Sequence, residues 1–126
     1  MSTNIIILCP HNAAKSIYAA ATLRQKAVDA GMQVGVSTGG TDPDDIVLPI
    51  VRERLETLGH TVNADPKMVT GEALDAADLI INIGCEHGDL PTSRPITDWT
   101  IPNFSDDPVV AFAALDTHVD RLLTDL

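Results

Sequence analysis

The sequence predicts an α/β fold built on a parallel sheet. Two features carry that expectation. Asn4–Cys9 and Asp78–Ile83 are short, continuous runs rich in β-branched apolar residues, the pattern of strands buried on both faces. Stretches with apolar residues at helical spacing lie between and beyond them, so strands alternate with helices and βαβ units follow. Right-handed crossovers then place the loops that follow the strands on one edge, where ligands bind in such sheets.

Each element has its own signal. Asn4–Cys9 opens the chain as a buried strand. From Lys15 to Ala30, Ile17, Ala20, Leu23 and Ala27 share one helical face, and Gly31 ends the helix. Met32, Val34 and Val36 alternate with Gln33 and Gly35, a second strand. Leu48, Val51, Leu55 and Leu58 mark a second helix closed by Gly59. Thr61–Asn63 is a weak strand at best, and Gly71–Ala77 reads as a short helix. Asp78–Ile83 is again a buried strand. Ser105-Asp106-Asp107 supplies an N-cap and an acidic first turn for a last helix, whose face is Val109, Phe112, Leu115, Val119 and Leu122.

The chain's 126 residues are one domain's worth, spanning 1–126, and 44% apolar content is enough for an ordinary core. The net charge of -10 argues against nucleic acid or an anionic membrane surface as partner. No apolar run approaches the roughly 20 residues of a membrane span, and the N-terminus lacks the basic region of a signal peptide. Cys9 and Cys85 are too few for a disulfide framework, so the chain reads as cytoplasmic. Nothing in the composition calls for a cofactor.

Both cysteines fall at the carboxyl ends of predicted strands. Cys9-Pro10-His11-Asn12-Ala13-Ala14-Lys15-Ser16 joins the first strand to the first helix. A tight loop there turns backbone N–H groups inward and aims a helix N-terminus at the same point, forming an anion nest. A thiol in such a field is favoured as thiolate. Lys15 can bring an ammonium to a bound oxyanion, and Ser16 can donate to the cysteine sulfur. Nucleophile, cradle and cation together suit attack on phosphate or arsenate. The bland alternative is a buried cysteine ending a strand.

These residues resemble the phosphate-binding loop of the low-molecular-weight protein tyrosine phosphatases and the thioredoxin-coupled arsenate reductases. That loop reads Cys, five residues, Arg, Ser, with Asn third after the Cys; Cys9, Asn12 and Ser16 match. Ser37-Thr38-Gly39-Gly40-Thr41 is similar to the family's Ser-Ala-Gly-Thr turn. Ala77–Cys85 is similar to the reductases' strand ending in Gly-Cys. Trp99-Thr100-Ile101-Pro102 is similar to the Trp segment before the catalytic Asp-Pro. The resemblance implies a three-layer α/β/α fold with a four-stranded parallel sheet of order 2-1-3-4. It implies Cys9 as nucleophile, with Lys15 and Ser16 assisting. It also implies an oxyanion (phosphate, sulfate or arsenate) held by His11, Asn12, Ala13, Ala14 and Lys15, and thioredoxin or another thiol donor as partner.

The departures are as informative. Lys15 replaces the loop Arg, exchanging a bidentate fork for a point charge. His11 stands where the family has Gly. Four residues after Trp99 the chain has Asn103, which cannot donate an acid proton. Asp107-Pro108 lies four residues later, so Asp107 reads either as general acid or as part of a capped helix start. Cys85 matches the first of the reductases' two resolving cysteines, and Leu90 occupies the place of the second. Cys85 is then either a resolver of Cys9 or a buried small hydrophobe. The Gly84-Cys85 pair, similar to that branch, leans the reading towards arsenate reduction, and the scarcity of aromatic residues disfavours a phosphotyrosine site. Two alternatives stand beside it. One is a catalytically degenerate member that binds an oxyanion or a protein. The other is a minor zinc reading, because Cys9-Pro10-His11 and Cys85-Glu86-His87 are both Cys-x-His and the two loops could meet.

Overall fold

A computed structural model describes residues 3–60, 62 and 65–126. Strand β1 (Thr3–Leu8) is followed by α1 (Lys15–Asp29), β2 (Val34–Gly39), α2 (Pro49–Thr57), α3 (Gly71–Ala76), β3 (Leu79–Asn82), β4 (Thr97–Asp98) and α4 (Pro108–Asp125). The sheet has four strands in the order β2-β1-β3-β4, and every pairing is parallel. This is the expected topology.

β1 lies between β2 and β3, with Ile7 opposite Thr38 on one side and Ile81 on the other. A central strand has neighbours on both edges and layers on both faces. Ile5, Ile6, Ile7 and Leu8 are therefore at most 1% exposed, and each contributes roughly 1.5–3 kcal/mol through burial. Alternation divides them. Ile5 and Ile7 face the larger core, with Leu23 of α1, Leu55 of α2 and Leu115 of α4. Ile6 and Leu8 face a smaller cluster with Leu74, Ile80, Cys85 and Leu90. Leu90, which stands in place of a third thiol, is thus an ordinary core residue there.

The glycine stops hold: Gly31 and Gly59 take φ of 71° and 79°, the left-handed conformation that ends a helix. Three expectations change. The edge strand is Thr97–Asp98, two exposed residues without an apolar signature. Of the weak strand considered near residue 62, Thr61 and Asn63 lie outside the described residues, and Val62 is in no strand. The last helix also starts later than Ser105. Its N-cap is Asp107, whose Oδ1 accepts from the amides of Val109 and Val110 at 3.1 and 3.3 Å, with Pro108 in the first turn. Among the described residues no helix is long and apolar enough to cross a membrane.

Candidate active site

The loop between β1 and α1 is organised by what it turns outward. The carbonyls of Pro10, His11 and Ala13 accept from the amides of Asp42, Asp44 and Leu48 at 2.8, 3.0 and 2.8 Å. In a trans peptide the next residue's N–H points opposite to the carbonyl. The amides of His11 and Ala14 therefore point away from the segment after β2, while the Asn12 amide closes onto the Cys9 carbonyl. The segment after β2 makes this possible. A side chain at Gly40 would meet the carbonyl oxygens of Pro10 and Cys9 at 2.5 and 2.6 Å, so only glycine lets the two loops close together.

Asn12 departs from its expected role as an oxyanion donor. It is fully buried, in the left-handed conformation with φ 48°. Its Nδ2 donates to Ser16 Oγ at 2.8 Å, and its Oδ1 accepts from the Lys67 amide at 2.9 Å. Its own amide bonds to the Cys9 carbonyl at 3.3 Å. With its side-chain oxygen, side-chain nitrogen and backbone amide engaged, Asn12 shapes the loop from behind. Its effect reaches sulfur through Ser16. The Ser16 hydroxyl, already accepting from Asn12, is oriented to donate to Cys9 Sγ, 2.9 Å away.

In front of the sulfur lies a cavity of about 420 Å³ lined by Cys9, His11, Ala13, Ala14, Lys15 and Asn103, among others. Lys15 stands at its edge. Its Nζ donates to Ile101 O at 3.2 Å and Asn103 Oδ1 at 3.0 Å. Burial lowers its pKa, and the Cys9 charge opposes that shift. The residues replacing the family's Arg and Asp thus touch each other. Asp107 caps α4 instead, its carboxylate engaged with backbone amides. His11 turns its Nδ1 to the Asp42 carbonyl oxygen at 3.0 Å, with Asp44 Oδ1 at 3.5 Å.

Cys85 follows β3 through Gly84, whose φ is 96°. Asn82 shapes this turn, accepting from the Cys85 amide and donating to its carbonyl at 3.0 and 2.8 Å. The Cys85 thiol is buried, with Thr41 Oγ1 3.9 Å away. Burial raises its pKa; Thr41 lowers it, and the Cys9 charge raises it further. The Cys85 and Cys9 turns adjoin, since a Cβ on Gly84 would touch Pro10 Cδ at 3.7 Å. A second cavity, about 410 Å³, is lined by Lys15, Gly84, Cys85, His87 and Asp98.

The zinc constellation does not assemble. His11 is turned to Asp42 and Asp44, and His87 bonds Asp98 at 2.9 Å. Among the described residues no group of three or more His, Cys, Asp or Glu side chains could hold a metal ion. The four-stranded parallel sheet of order β2-β1-β3-β4 with its flanking helices is the fold of the low molecular weight phosphatases. Residues 4–95 match the family of low molecular weight phosphotyrosine protein phosphatases, and the chain belongs to that family.

Its structural neighbours include both branches. The thioredoxin-dependent arsenate reductase of Corynebacterium glutamicum superposes with TM-score 0.79 at 27% identity, over 98% of this chain; this chain spans only 61% of that reductase. An arsenate reductase from Archaeoglobus fulgidus superposes with TM-score 0.78 at 26% identity, covering 95% of this chain and 98% of that one. A low molecular weight protein tyrosine phosphatase from T. tengcongensis reaches TM-score 0.82 at 16% identity, covering 98% and 99%, a likeness of fold. No curated protein sequence matches the chain.

Proposed function

We propose that this protein is an arsenate reductase-like enzyme with Cys9 as nucleophile and Cys85 as resolver. The Asn12–Ser16–Cys9 hydrogen-bond chain, beside a cavity lined by Cys9, His11, Ala13, Ala14 and Lys15, carries the reading. An ordinary strand-end cysteine needs no oriented hydroxyl on its sulfur. In the reaction, Cys9 thiolate displaces one oxygen of arsenate and forms a sulfur–arsenic(V) bond. Cys85 thiolate then attacks Cys9 Sγ. The electrons of the sulfur–arsenic bond pass to arsenic, arsenite leaves as arsenic(III), and a Cys9–Cys85 disulfide remains. A thioredoxin-type dithiol reduces that disulfide. Both cysteines are free thiols, which suits a reducing, cytoplasmic setting.

Lys15 supplies positive charge at the cavity edge. Phosphate and sulfate, sharing arsenate's tetrahedral oxyanion geometry, are expected to compete for the same cavity.

One observation favours a second reading. The Lys15 ammonium is shared with Ile101 O and Asn103 Oδ1, as in a member that binds an oxyanion without turnover. Arsenite production from arsenate with thioredoxin, and separately with dithiothreitol, decides between them. Turnover with thioredoxin supports the reductase. Binding of arsenate and phosphate without arsenite release supports the degenerate member. Neither turnover nor oxyanion binding overturns both.

A further inference from the structure

We propose that His11 is the proton donor for the oxygen that leaves when Cys9 attacks, a role that rests on the reductase reading above. His11 lies two residues after the nucleophile and lines the same cavity as Cys9. Its Nδ1 is 3.0 Å from the carbonyl oxygen of Asp42. A carbonyl oxygen can only accept, so Nδ1 carries the hydrogen in this contact. That fixes the tautomer. In the neutral ring Nε2 is the bare nitrogen, and in the cation Nε2–H is the acidic donor.

The carboxylate of Asp44 lies 3.5 Å from Nδ1, and Asp42 Oδ2 is 3.9 Å away. Cys9 and Lys15 line the same cavity as the imidazole. The His11 side chain is 59% exposed and lines the cavity, and no hydrogen bond engages its Nε2 among the described residues.

The rest of the site lacks this function. Asn103 has no acidic proton, and its Oδ1 is held by Lys15. Asp107 spends its carboxylate on the cap of α4. Asp44 lines the cavity but is directed to His11. Thiolate attack on arsenate expels a poor leaving group unless the departing oxygen is protonated. In the proposed step the Cys9 sulfur–arsenic bond forms and one arsenic–oxygen bond breaks. The departing hydroxyl takes the Nε2 proton and leaves as water. Arsenic stays pentavalent, and His11 is left neutral for reprotonation from solvent.

His11→Asn is the discriminating variant, because Asn Nδ2 stands near the place of Nδ1 and can keep the bond to Asp42, while Nε2 is lost. Arsenate reduction by His11→Asn is expected to fall about 100-fold. Alkylation of Cys9 by iodoacetamide is expected to stay within about twofold of wild type. A loss of arsenate reduction below about threefold, or an equal loss of alkylation, overturns the role while leaving the reductase reading in place. A wild-type protein that reduces no arsenate overturns the reading itself, and the role with it.

Discussion

At the end of β1, Asn12 is buried and divides its amide between Ser16 and the Lys67 backbone. At the end of β3, Asn82 is equally buried and divides its amide among the Cys85 backbone and Asp98. Both asparagines shape a turn that carries a cysteine, and both turns need left-handed backbone, at Asn12 itself and at Gly84. The sulfurs meet different surroundings. Cys9 lies before the first turn of a 15-residue helix, 2.9 Å from an oriented hydroxyl. Cys85 leads into a three-residue 3-10 turn, with a hydroxyl at 3.9 Å and a pKa pushed up by burial. Similar turn chemistry thus yields one thiol beside an oriented hydroxyl and one whose pKa burial raises. Helix length and hydroxyl distance make the difference.

Exchanging the two roles should break the comparison most severely. Cys9→Ser is expected to lower arsenate reduction by about 10⁴-fold or more, as removal of a nucleophile does. Cys85→Ser should instead abolish turnover with thioredoxin while keeping turnover driven by a small external dithiol. Arsenite release measured with both donors separates the two. Equal losses in both variants with both donors would show that the thiols are not divided in this way.

The asparagines come next. Asn12→Ala and Asn82→Ala each strand buried partners, and each should cost about 2–4 kcal/mol by denaturant unfolding. Their functional effects should differ, since Asn12→Ala also releases the Ser16 hydroxyl. Asn12→Gly keeps the left-handed backbone and removes the same bonds. The stability difference between Gly and Ala here therefore isolates the conformational term, expected at about 1 kcal/mol. Ser16→Ala has a smaller reach. Losing the hydrogen bond to the sulfur should slow Cys9 alkylation by about 10-fold or slightly more, leaving Cys85 unchanged. An unaltered rate would remove Ser16 from the account of Cys9.

Much of this was legible in the sequence, because the relevant signals are local. The β-branched run gives β1, Gly31 and Gly59 end α1 and α2, and the Cys9–Ser16 spacing places sulfur, hydroxyl and helix N-terminus together. Contacts between distant segments were not legible. Nothing near Lys15 announces that Asn103, 88 positions away, holds its ammonium. Nothing near Asn12 announces the Lys67 amide that takes its oxygen and turns the side chain away from the oxyanion. β4 escaped notice because two exposed residues carry no periodicity. Asp107 offered two roles, and cap geometry, invisible to spacing alone, is the one its carboxylate takes up.

The smallest expected effect lies at the Cys85 end and concerns acid. Asp98 accepts from His87 Nε2 and Asn82 Nδ2, and these bonds hold its carboxyl below the ordinary range, burial opposing slightly. A carboxyl with a depressed pKa binds its proton more weakly folded than unfolded. Its stabilisation is therefore present above the unfolded value, about 3.9, and is lost as pH falls through the lower folded value. Asp98→Asn should flatten this part of the acid-unfolding curve below about pH 4 and leave stability near neutrality little changed. The turn that carries Cys85 should survive, because the two bonds from Asn82 to the Cys85 backbone do not involve Asp98. Cys85 alkylation at neutral pH should consequently match wild type. A clear rise would mean that the exposed His87–Asp98 pair, rather than Asn82, keeps the second thiol covered.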